Sequence, residues 1–152
     1  MKSILISKCL LGDLVRYDGG HCLLSPNDIK TLKSHFDLVP VCPEVMAGMS
    51  IPRAPIEYKN NRIINKNDED LTSLFSPVMD ELISLINKNN IEYAILKDES
   101  PSCGSTEIYD GSFSGNKIKG EGIITKFLRA LGVEVISEKN LSSFFLSISD
   151  ND

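Results

Sequence analysis

Three cysteines stand where the chain leaves a short apolar run. Cys9 follows Ile4-Leu5-Ile6-Ser7-Lys8, and Cys42 follows Leu38-Val39-Pro40-Val41. Cys103 lies in Ser100-Pro101-Ser102-Cys103-Gly104, just beyond Tyr93-Ala94-Ile95-Leu96. If these β-branched-rich runs are parallel strands separated by helices, all three thiols emerge on one edge of one sheet. Open α/β sheets place their ligands at that edge. The pattern points to three sequence-distant thiols converging on one metal centre. No cysteine pair has the short separation of a zinc knuckle, and neither histidine adjoins a cysteine motif except His21 beside Cys22. Three single thiolates without an obvious fourth leave one metal position open. A cubane iron-sulfur cluster tolerates that arrangement, which favours iron over zinc. The competing readings are zinc ligation and small apolar side chains filling core positions near strand ends.

The elements that must position these thiols follow from the patterning. Strands are predicted over 2–7, 38–41, 93–96 and 133–136, in a three-layer α/β fold with a mostly parallel sheet of four to five strands. Helices on both faces would make it Rossmann-like. Ser25-Pro26-Asn27-Asp28 reads as a helix start, with Ser at the N-cap and Pro at the first helical position. Ile29, Leu32 and Phe36 supply its buried stripe. A second helix is predicted over 71–87, where Ser76-Pro77 offers an alternative start. Others are predicted over 123–131, ended by Gly132, and over 140–148. Gly and Pro interrupt 48–55, which predicts a structured loop. Two small hairpins are predicted, one turning at Asn60-Asn61 and one pairing Ile108-Tyr109 with Ser112-Phe113 across Asp110-Gly111.

Composition bounds the function. The 152 residues suit one domain spanning 1–152, and a hydrophobic content of 41% suits a globular core. A net charge of -5 with no long basic run predicts no nucleic-acid partner and no anionic membrane partner. The apolar start is too short for a signal-peptide core, so a cytoplasmic location is expected, where 4 cysteines serve as metal ligands, reactive thiols or buried small side chains before disulfides. The oligomeric state is left open between a monomer and a homodimer.

Several separated motifs then converge. Ser7-Lys8-Cys9-Leu10-Leu11-Gly12, Arg16-Tyr17-Asp18-Gly19, and Val41-Cys42-Pro43-Glu44 with Pro52-Arg53-Ala54-Pro55 behind it occur in order. Residues 97–104, Tyr109-Asp110-Gly111 and Gly120-Glu121-Gly122 complete the set. Together they resemble the thiouracil desulfurase family, in its short form, over nearly the whole chain. The resemblance implies a 4Fe-4S cluster held by Cys9, Cys42 and Cys103, with one open, oxygen-sensitive iron. It also implies hydrolytic desulfuration of a small thiolated base such as 2-thiouracil, giving the oxo base and hydrogen sulfide. A soft thiocarbonyl sulfur suits the open iron, and water then attacks the polarised carbon.

Within that resemblance Glu44 is the acid or base best placed by sequence, and Ser100 is the hydroxyl expected to bind the substrate or attacking water, with Ser102 as its substitute. Arg16 and Asp18 are candidate substrate-binding residues. Each also has a structural reading. Glu44 suits the first turn of a helix, the serines suit a Pro turn, and Asp18 suits a turn before two glycines; Arg16 and Arg53 can each bind a carbonyl or anionic group of a substrate or pair with Asp18 or Glu57 to pin a loop, and the pairing role is favoured for Arg53. Cys22 departs from the family pattern. As a fourth ligand it would close the cluster and favour a non-catalytic metal-thiolate sensor; the Gly19-Gly20 setting favours a plain loop thiol.

Overall fold

The computed structural model describes residues 1–149. Ile4, Leu5 and Ile6 of strand β1 (Lys2–Ser7) are all fully buried, as a strand covered on both faces requires. After it come helix α1 (Pro26–His35), strand β2 (Phe36–Val41) and the one-turn helix α2 (Pro43–Met46). The hairpin β3 (Glu57–Lys59) and β4 (Arg62–Ile64) precedes helix α3 (Ser76–Asn89) and strand β5 (Tyr93–Leu96). A second hairpin, β6 (Glu107–Tyr109) and β7 (Lys117–Lys119), is followed by α4 (Ile123–Ala130), β8 (Glu134–Ser137) and α5 (Leu141–Ser149).

β2, β1, β5 and β8 lie in that order in one four-stranded sheet, with every pairing parallel. The two-residue period of the strands sorts their side chains into two layers. Leu5, Ala94, Leu96 and Val135 join Val78 and Leu82 of α3 and Ile124 and Leu128 of α4. Ile4, Ile6, Ile95 and Ile136 join Leu32 of α1 and Leu141 and Phe144 of α5. The result is the three-layer α/β arrangement that the patterning predicts. From β1 the chain passes to β2 on one side and then to β5 on the other. The C-terminal ends of β1 and β5 therefore flank a point where strand order reverses, which opens a crevice. Among the described residues no helix is long and apolar enough to cross a membrane.

Local signals account for most element ends. Ser25 caps α1 by accepting the Asp28 N–H, and Asn60 and Asn61 both take positive φ, 51° and 61°, at the β3–β4 turn. Two expectations need correction, and one alternative is decided. Phe36 opens β2 and does not belong to the stripe of α1; its N–H closes that helix on the Leu32 carbonyl. The helix predicted over 71–87 takes the alternative start offered by Ser76-Pro77: a 3-10 turn, Thr72–Phe75, precedes α3, whose first turn suits Pro77. Ser112 and Phe113 are not a strand: β6 pairs with Lys117–Lys119 instead. The Ser112 N–H is taken by the Asp110 carboxylate and that of Phe113 by Glu57, so neither is free to extend a ladder.

Candidate active site

The three predicted thiols all line one cavity of about 400 Å³ at the C-terminal edge of the sheet. Cys9 sits in the 3-10 turn Lys8–Leu11 directly after β1. Cys42 is the residue before α2, whose Pro43 opens the turn and whose Glu44 lies in it. Cys103 hangs from the loop after β5. The loops are tied together at their roots, since Ser7 Oγ accepts the Lys97 N–H at 2.9 Å.

The Cys103 loop is organised by buried groups. The carboxylate of Asp98, 1% exposed, accepts backbone N–H groups from Glu99, Ser105, Thr106 and Glu107, together with the Thr106 hydroxyl. Burial alone would raise its pKa, but hydrogen bonds from Thr106, Glu99 and Ser137 outweigh that and hold it well below the usual carboxylate range. The first turn of α4 packs onto the same loop: Ile123 N–H donates to the Pro101 carbonyl and Ile124 N–H to that of Ser102. Contact there is so close that a Cβ on Gly122 would lie 2.5 Å from the Ser102 carbonyl, and only glycine fits.

Glu44 faces this loop from across the cavity. Its Oε1 accepts from Arg53 Nε at 3.1 Å, and its Oε2 accepts from Ser102 Oγ at 3.3 Å. Arg53, with only 6% of its side chain exposed, also donates to the carbonyls of Ser50 and Val15 at 3.1 and 2.9 Å. Arg53 thus has the structural role expected of it, with Glu44 as partner in place of Asp18 or Glu57. Ser102 Oγ stands 2.9 Å from Ser100 Oγ and 3.7 Å from Cys103 Sγ. Ser100 Oγ accepts the N–H groups of Ser102 and Cys103. The hydroxyl against Glu44 is therefore Ser102, with Ser100 behind it. Arg16 lines the cavity, whereas Asp18 does not: its carboxylate accepts the Gly20 N–H and stands 3.9 Å from Arg16.

Burial holds these thiols in their neutral form. Burial pushes the Cys9 thiol up to about 12, with Cys22 and Cys42 adding to the effect and Lys97 and Arg16 opposing it. Burial also raises Cys42 and Cys103; backbone N–H groups oppose it at Cys42, and the Ser102 hydroxyl opposes it at Cys103. Thiols so shifted are poor nucleophiles at neutral pH, but a bound metal deprotonates its thiol ligands outright. All four cysteines are free. Among the described residues no three Cys, His, Asp or Glu side chains stand close enough to share one metal ion. Three thiols on the wall of one cavity are the soft donor set that a multi-iron cluster takes, each thiolate binding a different iron.

Cys22 is half-buried and not a wall of this cavity. Its N–H donates to the Cys9 carbonyl at 2.8 Å, and its side chain packs on the core layer of Ile4 and Leu10. Sequence reasoning missed Asp98, whose role depends on donors up to nine residues further on. It also missed Glu57, which lines the cavity and holds the backbone of Gly111 and Phe113.

The family model for 2-thiouracil desulfurase matches residues 4–140. The uncharacterized protein YbbK of Bacillus subtilis (strain 168) is 36% identical over 149 residues, covering 91% of this chain and 97% of that protein. A solved structure of a 4Fe-4S-dependent thiouracil desulfidase, TudS, superposes with a TM-score of 0.91 at 36% identity, covering 98% of this chain and 99% of the other. By sequence and by fold, the chain belongs to the 2-thiouracil desulfurase family and is an enzyme.

Proposed function

We propose that this enzyme exchanges the sulfur of a small thiolated nucleobase such as 2-thiouracil for oxygen, taking up water and releasing the oxo base and hydrogen sulfide. In this reading Cys9, Cys42 and Cys103 hold a 4Fe-4S cluster as three thiolates. When bound, the cluster supplies an iron without a protein ligand, a thiophilic Lewis acid suited to polarising the carbon–sulfur bond. The observation that carries the reading is the hydrogen-bonded row Glu44, Ser102, Cys103, which sets a carboxylate and a hydroxyl beside a thiol in one cavity.

The chain's own residues then manage protons. Glu44 accepts a proton from the attacking water and returns one to the departing sulfur. Arg53 fixes the orientation of that carboxylate through Nε and keeps Oε2 turned toward Ser102. Ser102 orients the water, and Ser100 orders the loop and the Ser102 hydroxyl. Arg16 donates to a carbonyl or anionic group of the substrate, with Asp18 holding the arginine from outside the cavity. Four free thiols suit the reducing cytoplasm, where we place the enzyme.

Substitution of Glu44 tests this reading. In anaerobically reconstituted protein, E44Q is expected to keep the visible spectrum of the cluster while uracil and sulfide formation from 2-thiouracil falls at least about a hundredfold. A wild type that carries the cluster and forms no uracil, or an E44Q variant as active as the wild type, would contradict it.

A further inference from the structure

Glu57 opens β3 with a carboxylate that serves a loop more than fifty positions away. It is 8% exposed, and its Oε1 accepts the N–H of Gly111 at 2.9 Å and of Phe113 at 3.2 Å. Both residues have positive φ, 92° at Gly111 and 57° at Phe113. For a bulky aromatic residue that conformation is an outlier, held only where the surroundings over-determine it. Gly111 lies flat on Lys59, so close that a Cβ would fall 2.5 Å from the Lys59 Cβ. The loop over 110–116 is thus clamped from below at two points, and Phe113 is one wall of the cavity that holds the thiols.

Three aromatic residues line that cavity. The Arg16 guanidinium lies 5.7 Å from the Tyr17 ring centroid, and the Lys117 ammonium lies 5.9 Å from that of Tyr109. Among the described residues no other aromatic ring and no cation pairs with the ring of Phe113. We infer that Phe113 is the stacking platform for the substrate's planar ring and that Glu57 is the positioning residue that holds it in place. This rests on reading the cavity as a thiolated-base site, and it narrows the substrate class to flat, unsaturated thio-heterocycles. A polarisable thiopyrimidine ring stacks on the hydrocarbon face of phenylalanine, while a puckered ring with the same thiocarbonyl does not.

Calorimetric titration of the reconstituted full chain tests it, with 2-thiouracil and 5,6-dihydro-2-thiouracil as probes and turnover followed in parallel. The wild type is expected to bind the planar compound about tenfold more tightly. F113A should erase that preference, and F113Y should keep it. E57A should reduce the preference, whereas E57Q, which retains an acceptor oxygen, should restore it. The cluster spectrum should be unchanged in F113A. Equal affinity of the wild type for both probes, or a preference that survives F113A, overturns the inference while leaving desulfuration intact. A Phe113-dependent preference in a protein that forms no uracil supports the platform and removes the proposed function. No binding of either probe overturns both.

Discussion

Ser102 donates its hydroxyl proton to Glu44 Oε2 across 3.3 Å, joining residues 58 positions apart in the chain. The direction of that bond follows from counting lone pairs and protons. Ser100 Oγ already accepts two backbone N–H groups, which fill its lone pairs. Its own proton therefore goes to Ser102 Oγ at 2.9 Å, and the Ser102 proton is shared between the Glu44 carboxylate and Cys103 Sγ. The two serines form one directed row that ends on the group assigned to proton transfer and on the neighbouring thiol.

The row separates two substitutions that look alike in sequence. S102A removes the hydroxyl against Glu44 and should lower kcat about tenfold to a hundredfold with little change in unfolding midpoint. S100A leaves two loop N–H groups without their acceptor and should cost about 1 kcal/mol of stability as well. Kinetics and denaturant unfolding of both variants check this; equal kinetic effects with no stability difference would count against it.

Arg53 and Glu44 form an ion pair almost wholly shielded from water. Breaking such a pair strands a buried charge, so R53M should lose about 3 kcal/mol of stability, read from denaturant midpoints. R53K keeps the charge but not the planar fork that also reaches Val15 and Ser50, and should fall between wild type and R53M.

Asp98 gives the fold a defined acid sensitivity. Its folded pKa lies below its ordinary value of 3.8, so its stabilising contribution is fully present above about pH 4 and is lost as pH falls through the depressed folded value. D98N should be less stable than wild type by about 2–3 kcal/mol at neutral pH. That gap should narrow as both proteins are acidified below pH 4, as followed by circular dichroism during denaturant titration. A gap that stays constant into acid would show that the charge is not what organises the loop.

Much of this was legible in the sequence because short-range signals decide it. Residues 2–7 and 93–96 read as strands because apolar, β-branched runs of that length end at polar loops, and the thiols at their ends had to share an edge once the strands were parallel. Ser25-Pro26 and Asn60-Asn61 carry their own geometry. What escaped was long-range. Nothing near Arg53 marks Glu44 as its partner, and nothing near Asp110-Gly111 shows that Glu57 will take the donors a tight hairpin would need. In that loop a tertiary hydrogen bond overrode a strong local turn signal, and the strand moved to Lys117–Lys119.

The most direct test of the central claim, that three strand-end thiols hold one cluster, is an iron count on anaerobically reconstituted wild type, C9S, C42S, C103S and C22S. About four irons per chain are expected in the wild type and in C22S, with loss of iron in each of the other three variants. Loss of iron in C22S, or retention in any one of C9S, C42S and C103S, would contradict the assignment.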